Sequence, residues 1–299
     1  MTSWTTSYRI PENYQFWNSI RFLRMGTLDP TLIRDSTVMS MARRYKSGPA
    51  TTRYSVHEDS IVVEAWGPGA KEALDASYLV LGLHDNPPKD LGHPRVNRTL
   101  KSVMGVHLCR MPFVSQELMQ HVLQQQISWR DAAKIWKVVI RKHGEDAPGP
   151  LNLKLPLSFE QLKKIPHHDF QVAGIIENRI PLLREIGRLG HRIDDWLAES
   201  VRSFQRKIQT IPQMGPWTAN HVLGVSMGEP DVIVPGDFAM PHTVSWGLIG
   251  KPRSSDREMI QLLEPFRGNR WRIVRLLWAK NINAPRRGHR IATPHTKRS

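Results

Sequence analysis

The sequence is poor in cysteine and in long apolar runs. Cys109 is the only cysteine among 299 residues, so an internal disulfide and a four-cysteine zinc or iron–sulfur site are excluded. No uninterrupted apolar run approaches the roughly 18 residues of a membrane span. The first residues also lack the basic and apolar segments of a secretory signal. These absences lead us to expect a soluble intracellular protein without a membrane partner.

Acidic residues are also scarce, most of all near the C-terminus. The chain has 42 Lys and Arg against 27 Asp and Glu, a formal charge of +15, and from Pro265 onward it contains no Asp or Glu. A balance this basic predicts attraction to a polyanion, with nucleic acid first and an anionic membrane surface second. A basic protein that is ribosome-associated or merely soluble is the alternative.

Signals of secondary structure change along the chain. Alternating apolar residues in "TRYSVHEDSIVVEAWG" predict two short strands joined by a polar turn at His57–Ser60. Helical spacing then predicts a helix over residues 70–81. The Pro- and Asp-rich stretch "HDNPPKDLGHP" marks a boundary, after which helical patterns dominate. Among them, Ser128 and Ser255 each begin a capping-box pattern.

These patterns predict a mainly α fold with an N-terminal α+β domain. We place the mixed α/β domain at residues 1–92, the helical part at 93–284 and a basic C-terminal tail at 285–299. The sequence shows no internal repeat and no low-complexity tract.

The segment "IPQMGPWTANHVLGV", residues 211–225, is typical of a hairpin between two helices. Pro216 suits the first position of the second helix, because the N–H at that position is unpaired anyway. Such a hairpin directs free N–H groups and the positive end of a helix dipole outward, which makes a site for a phosphate. An ordinary αα-hairpin, in which Gly215 only serves the turn, fits the local pattern equally well.

A single acid follows this hairpin. Asp237 lies in "VPGDF", 22 residues after Gly215. Taken alone, the motif is most often a β-turn in which Gly and Asp serve the backbone. Paired with an anion-binding hairpin, the carboxylate becomes a candidate catalytic group.

Together, "IPQMGPWTANHVLGV" and "DVIVPGDF" resemble the helix-hairpin-helix–Gly/Pro–Asp superfamily of DNA glycosylases, and within it the bacterial 3-methyladenine DNA glycosylase II branch. The resemblance extends to "VLQQQISWRDAAKIWKVVIRKHGE", to "PFRGNRWRIVRLLW" and to the N-terminal "FWNSIRFLRMG". It implies helical domains with a cleft between them within residues 93–284. It also implies a monomer that acts on double-stranded DNA.

The resemblance gives roles to individual residues. It places Asp237 on the catalytic aspartate, where a carboxylate stabilises the positive charge that develops on the sugar as the N-glycosidic bond breaks. Gln126 stands where an apolar wedge fills the space left by the flipped base. The DNA-binding positions of the hairpin fall on Gln213, Met214, Gly215 and Thr218. Some members hold a monovalent cation at the carbonyls that match Gln209, Ile211 and Met214; no cofactor is required.

The resemblance also implies a pocket for the base. Its positions fall on Phe22, Gln124, Trp217, His221, Phe238 and Trp278. Electron-rich rings attract a cationic alkylated purine by about 0.5–2 kcal/mol, although core packing is the alternative for each ring. His221 stands where the branch tends to have a tyrosine. A histidine can stack, hydrogen-bond to a base or, when charged, disfavour a cationic base. The resemblance therefore does not decide which damaged base is the substrate.

Trp217 lies two residues after the second hairpin glycine, where lyase-competent relatives carry a lysine. Without an amine there, a Schiff-base step is not expected. We therefore predict a monofunctional DNA glycosylase of base-excision repair for alkylated purines, located in the cytoplasm of a bacterium or the nucleus of a eukaryote. The alternatives are a glycosylase for oxidised or deaminated bases and a non-catalytic protein that binds DNA or senses damage.

Overall fold

A computed structural model describes residues 3–285. The predicted tail at 285–299 therefore lies, apart from Pro285, outside the described residues. None of the helices in the described range is long and apolar enough to cross a membrane.

The N-terminal part contains a five-stranded antiparallel sheet with the strand order β1-β5-β4-β3-β2. Its strands are β1 (Ser3–Arg9), β2 (Leu32–Arg34), β3 (Val38–Tyr45), β4 (Gly48–Val56) and β5 (Ser60–Trp66). The predicted hairpin is confirmed, because β4 and β5 pair with Val56 opposite Ile61.

Helices make up most of the remaining structure. They are α1 (Phe16–Ile20), α2 (Ala70–Val80), α3 (Pro94–Leu100), α4 (Ser115–Gln124), α5 (Trp129–His143), α6 (Phe159–Lys164), α7 (His167–Val172), α8 (Ile180–Leu189), α9 (Arg192–Asp195), α10 (Val201–Thr210), α11 (Pro216–Val222), α12 (Met240–Ile249), α13 (Asp256–Leu263) and α14 (Arg270–Ala279). The predicted mainly α fold with an N-terminal α+β region is confirmed. The division at residue 92 stays a prediction.

At both predicted capping boxes the N-cap bond is formed, but within residues 3–285 the reciprocal bond from the serine backbone N–H to the third residue's side chain is not. The Ser128 hydroxyl accepts a hydrogen bond from the Asp131 amide at the start of α5, and Ser255 caps α13 through the Glu258 amide. These bonds satisfy donors that the first turn of a helix leaves free. The apolar stripe of α5 is buried in the helical core, as its spacing predicts.

The last helix packs against the N-terminal part. Arg272 of α14 forms a bidentate ion pair with Asp85, with N–O distances of 2.7 and 2.8 Å. Arg275 donates to the carbonyl of Ser19 at 3.0 Å, and Arg21 donates to the carbonyl of Trp278 at 2.8 Å. These directional contacts bring N-terminal side chains to the helical region, where a cavity lies between them.

Candidate active site

The hairpin between α10 and α11 presents free backbone N–H groups. Within residues 3–285, the amides of Gln213, Gly215, Trp217 and Thr218 have no hydrogen-bond acceptor. Gln213 and Gly215 are exposed. An added Cβ at Gly215 would meet no atom within 4 Å, so the turn is open at this residue. The free N–H groups can therefore donate to an approaching anion such as a phosphate.

Gln213 adopts a left-handed conformation, with φ of 62°, which glycine adopts at lower cost. Two side chains hold it there. Its Oε1 accepts from the Arg179 guanidinium at 3.0 Å, and its carbonyl accepts from Gln125 Nε2 at 3.3 Å. Arg179 could not be identified from the sequence, because one arginine at a helix start carries no distinctive pattern.

Gln125 also connects the hairpin to the loop between α4 and α5. Its Nε2 donates to the Thr218 hydroxyl at 2.8 Å. The next residue, Gln126, is exposed and also left-handed, with φ of 66°. The predicted wedge position and the predicted phosphate site thus lie along one groove of about 960 Å³, which Gln124 and Asp237 also line.

Asp237 accepts four hydrogen bonds. Its Oδ2 accepts from Trp217 Nε1 at 3.0 Å and from His221 Nε2 at 3.3 Å. Its Oδ1 accepts from the amides of Ala239 and Met240 at 2.9 and 2.8 Å, at the start of α12. Both sequence interpretations therefore apply, because the acid serves the backbone of its turn and also faces the hairpin helix.

These contacts keep Asp237 ionised. Burial by itself raises the pKa of Asp237, but the hydrogen bond and charge of His221, followed by the Trp217 and Met240 hydrogen bonds, lower it well below its usual range. The side chain remains 18% exposed. At neutral pH the site therefore holds a fixed anion that solvent and a ligand can reach.

A second cavity, of about 390 Å³, lies behind the groove and shares Gln124 and Trp129 with it. The rings of His221 and Trp278 line it, nearly parallel at 9° with centroids 6.5 Å apart. Their faces offer stacking surfaces to a flat ring that enters the cavity.

Trp271 closes the cavity at one side. Its ring is nearly perpendicular to His221 (87°) and to Trp278 (84°). The close approach depends on Gly224, in a π-helical turn after α11, because an added Cβ there would lie 2.5 Å from the Trp271 ring. The sequence predicted Trp278 and His221 as pocket residues but missed Trp271, whose apolar helical setting resembles ordinary core.

The other predicted aromatic residues differ in position. Phe22 lines the cavity, and the Arg275 guanidinium lies over its ring, 4.0 Å from the ring centroid. Trp217 lies in the groove, half-buried, with its N–H turned to Asp237. Phe238 is 91% exposed at the groove and does not join the ring cluster around His221. Its geometry suits a contact with DNA better than one wall of a closed pocket.

Three further residues of α4 line the cavity: Glu117, Gln120 and His121. The sequence pattern did not single them out as pocket residues. Their signal was the spacing in "QELMQHVLQ", where Glu117, Gln120 and His121 recur at i, i+3 and i+4.

The hairpin carbonyls partly fit the implied monovalent cation. Among the described residues, no backbone N–H donates to the carbonyls of Gln209 and Met214, whereas that of Ile211 accepts from the Met214 amide at 3.1 Å. All three lie at the negative end of the α10 dipole or just beyond it. The cation stays a prediction. No cluster of three or more His, Cys, Asp or Glu suited to a metal occurs in residues 3–285.

No protein-family model and no curated protein sequence matches the chain. Solved structures do resemble it. The 3-methyladenine DNA glycosylase from Archaeoglobus fulgidus gives a TM-score of 0.77, with 19% identity over 92% of this chain and 98% of that one. The Clostridium acetobutylicum 8-oxoguanine glycosylase/lyase, in complex with double-stranded DNA, gives 0.66, with 11% identity over 90% and 93%.

A third similar structure is the Schizosaccharomyces pombe 3-methyladenine DNA glycosylase in complex with abasic DNA, with a TM-score of 0.53 and 16% identity over 63% of this chain and 92% of that one. This chain has a DNA glycosylase fold. The resemblance inferred from the hairpin and Asp237 is thus confirmed at the level of the fold. Because the neighbours are named for different bases, the fold leaves the substrate open.

Proposed function

We propose that the protein is a monofunctional DNA glycosylase of base-excision repair that flips a damaged base out of double-stranded DNA and hydrolyses its N-glycosidic bond. One observation carries the proposal. The ionised carboxylate of Asp237 lies between a hairpin with free amides and a cavity whose parallel rings can hold one base.

The position of Asp237 suits this chemistry. Breaking the bond builds positive charge on the sugar, and a carboxylate fixed beforehand stabilises that charge without reorganising. Trp217 and His221 fix Oδ2, while the α12 amides fix Oδ1. The same carboxylate can orient the attacking water. Removal of one such group typically costs about 10²–10³ in rate.

The cavity supports base flipping. A glycosylase must take its target base out of the stack and hold it in a pocket. The parallel faces of His221 and Trp278 at the cavity suit a planar ring. Alkylated purines are the first substrates that we propose, because they are cationic, leave easily and are attracted to aromatic faces. The same pocket geometry would admit oxidised or deaminated purines.

The residues at the site support our proposal of hydrolysis without strand cleavage. A lyase needs an amine that forms a Schiff base with the sugar. No lysine lines the groove or the cavity in the described part of the chain, and Trp217 holds the place two residues after Gly215.

The DNA partner is proposed from charge and geometry together. The chain carries a formal charge of +15, and the hairpin amides can hold a phosphate near Asp237. Contacts of this kind release counterions, so affinity should fall steeply with added salt. A flat salt response would argue against binding through phosphates.

The decisive experiment measures base release in single-turnover reactions. Duplexes would carry 3-methyladenine, 7-methylguanine, 1,N6-ethenoadenine, hypoxanthine, uracil or 8-oxoguanine, with Asp237→Asn as the matched control. Release that depends on Asp237 is expected for at least one purine. Tight binding of damaged duplex without release of any base would favour the non-catalytic alternative, and borohydride trapping of the enzyme on DNA would contradict the monofunctional assignment.

A further inference from the structure

Helix α4 turns a polar face toward the cavity. Glu117, Gln120, His121 and Gln124 are spaced i, i+3, i+4 and i+7, so they lie on one side of the helix, and all four line the cavity. Every residue of α4 from Ser115 to Leu123 is buried. A buried polar face is costly unless its groups are hydrogen-bonded.

Most of these groups lack partners. Glu117 is 2% exposed, and its Oε1 has no hydrogen-bond partner. Within residues 3–285, no hydrogen bond to protein is formed by Glu117 Oε2 or by the Gln120 side-chain amide. The Trp271 indole N–H, at the side of the same cavity, is also unpartnered. Glu117 Oε1 and the Trp271 N–H are closed to solvent, so a ligand in the cavity would bond to Glu117 Oε2 and to the Gln120 amide, which within residues 3–285 also lack protein partners.

His121 has a defined tautomer. Its Nδ1 lies 2.7 Å from the carbonyl oxygen of Glu117. A carbonyl can only accept, so Nδ1 carries the hydrogen and Nε2 is left as an acceptor. Burial, together with the nearby His221, lowers the pKa of His121 to about 3, despite the opposing hydrogen bond to Glu117. The ring is therefore neutral at physiological pH.

The polar face of α4 formed by Glu117, Gln120, His121 and Gln124, called the stripe below, thus offers two kinds of hydrogen-bonding group beside the stacking rings. Glu117 and His121 Nε2 can accept, and Gln120 can both accept and donate. An exocyclic amine on a base has two N–H donors, which match neighbouring acceptors. A carbonyl oxygen in the same place can accept only from the Gln120 amide or from protonated Glu117, and it leaves His121 Nε2 unpaired.

We propose that Glu117, Gln120 and His121 read the edge of the flipped base and make the enzyme selective for damaged aminopurines over deaminated purines. This inference rests on the proposed function and names the substrate class of the same site. Sites that hydrogen-bond a substrate group discriminate strongly against analogues that lack it, because buried polar groups are then left unpaired.

The test compares two lesions that differ by one amine. 7-Methylguanine and 7-methylhypoxanthine in DNA are both cationic purines with the same methyl group, but only the first has the 2-amino group. Release rates are divided by the spontaneous rates. The wild-type protein should prefer 7-methylguanine by about 10-fold or more. Equal normalised rates would overturn the inference while leaving the proposed function intact.

Variants of the stripe test its role. Glu117→Leu and Gln120→Leu should each reduce the preference to about threefold or less. If the Glu117→Leu variant does not fold, Glu117→Gln, which keeps the side-chain volume, replaces it in this comparison. The control is Gln116→Met on the same helix. Gln116 bonds to the backbone of Arg44 rather than lining the cavity, so its loss should lower thermal stability and keep the preference. A preference that persists in every stripe variant would overturn the inference.

Binding of free bases separates this inference from catalysis. Trp271 and Trp278 line the cavity, so quenching of tryptophan fluorescence can follow titration with adenine and with purine, which lacks the amine. Adenine should bind about 10-fold more tightly, and Glu117→Leu should remove the difference. If no base is released from DNA but this difference is found, the proposed function fails and the edge recognition stands. If adenine and purine bind alike, the edge recognition fails.

Discussion

Two carboxylic acids lie at opposite ends of the candidate site, and their surroundings differ. Asp237, at the hairpin end, accepts four hydrogen bonds, and its pKa is lowered. The side-chain carboxyl of Glu117, at the α4 end, has no hydrogen bond to protein within the described residues. Burial, only partly offset by Arg43, raises the pKa of Glu117 to about 7.

The comparison indicates that the hydrogen bonds of the Asp237 carboxylate are already formed, whereas the Glu117 carboxyl lacks a partner that a ligand would supply. A carboxylate held by fixed donors is ready to stabilise charge, because its environment is already organised. A buried acid without partners is costly, and a polar ligand would remove that cost. Pairs of acids whose pKa values are driven apart often divide the work of one site.

The largest effect is expected from Asp237→Asn, which tests the hairpin end. The variant keeps the shape of the side chain but removes its charge. Base release in single-turnover reactions should fall by about 10²–10³. Circular dichroism would check that the variant is folded. Full activity of Asp237→Asn on any lesion would show that the anion is not the group that stabilises the sugar.

A smaller effect on activity is expected from Trp217→Phe. This variant keeps an aromatic ring but removes the N–H that donates to Asp237 at 3.0 Å. Hydrogen bonds to charged groups contribute about 1.5–3 kcal/mol, so release at pH 7 should fall by roughly 10-fold. The pKa of Asp237 should rise, so the acid limb of the pH–rate profile should move to higher pH. A limb that does not move would mean that Trp217 does not stabilise the anion.

The hairpin end can also be tested without touching the acid. Gly215 has φ of −75° as the residue preceding α11, and an added Cβ would meet no protein atom. Gly215→Ala should therefore cost at most about 1 kcal/mol of stability. Affinity for duplex DNA should fall by roughly 5-fold, because the methyl group stands before the free amides. Affinity would be measured by fluorescence anisotropy, and an unchanged value would show that the hairpin does not contact DNA.

The smallest effect is expected from Glu117→Gln and concerns stability. The pKa of Glu117 is raised from 4.5 to about 7 in the folded state, so the native protein binds this proton more tightly than the unfolded chain. The contribution of Glu117 to stability therefore falls as pH rises from about 4.5 to about 7.

Glutamine does not titrate, so the difference in Tm between Glu117→Gln and wild type should increase by a few degrees across this window. Differential scanning calorimetry at several pH values would measure it. Gln116→Met is the control. Because Gln116 does not titrate and bonds to the backbone of Arg44, its difference from wild type should stay constant from pH 5 to 8. A pH-independent difference for Glu117→Gln would show that this acid is already ionised and partnered in the native state.

Sequence reasoning performed best where a feature depends on neighbours in the chain. The caps at Ser128 and Ser255, the β4–β5 hairpin and the α10–α11 hairpin follow from residues within a few positions of one another. The proposed role of Asp237 came from combining the hairpin with an acid at a fixed distance along the chain. The left-handed backbone at Gln213 was missed, because Arg179 and Gln125, which hold it, are distant in sequence.

By itself, the sequence determined the basic charge, the absence of a disulfide, the mainly α fold with its N-terminal sheet, and the hairpin followed by Asp237. Only the tertiary structure decided that His221 and Trp278 lie parallel, that Trp271 closes the cavity and that α4 turns unpartnered polar groups into it. The physical reason is that helical periodicity tells which residues share a face. Whether that face meets core, solvent or a cavity depends on packing against elements more than a hundred residues away.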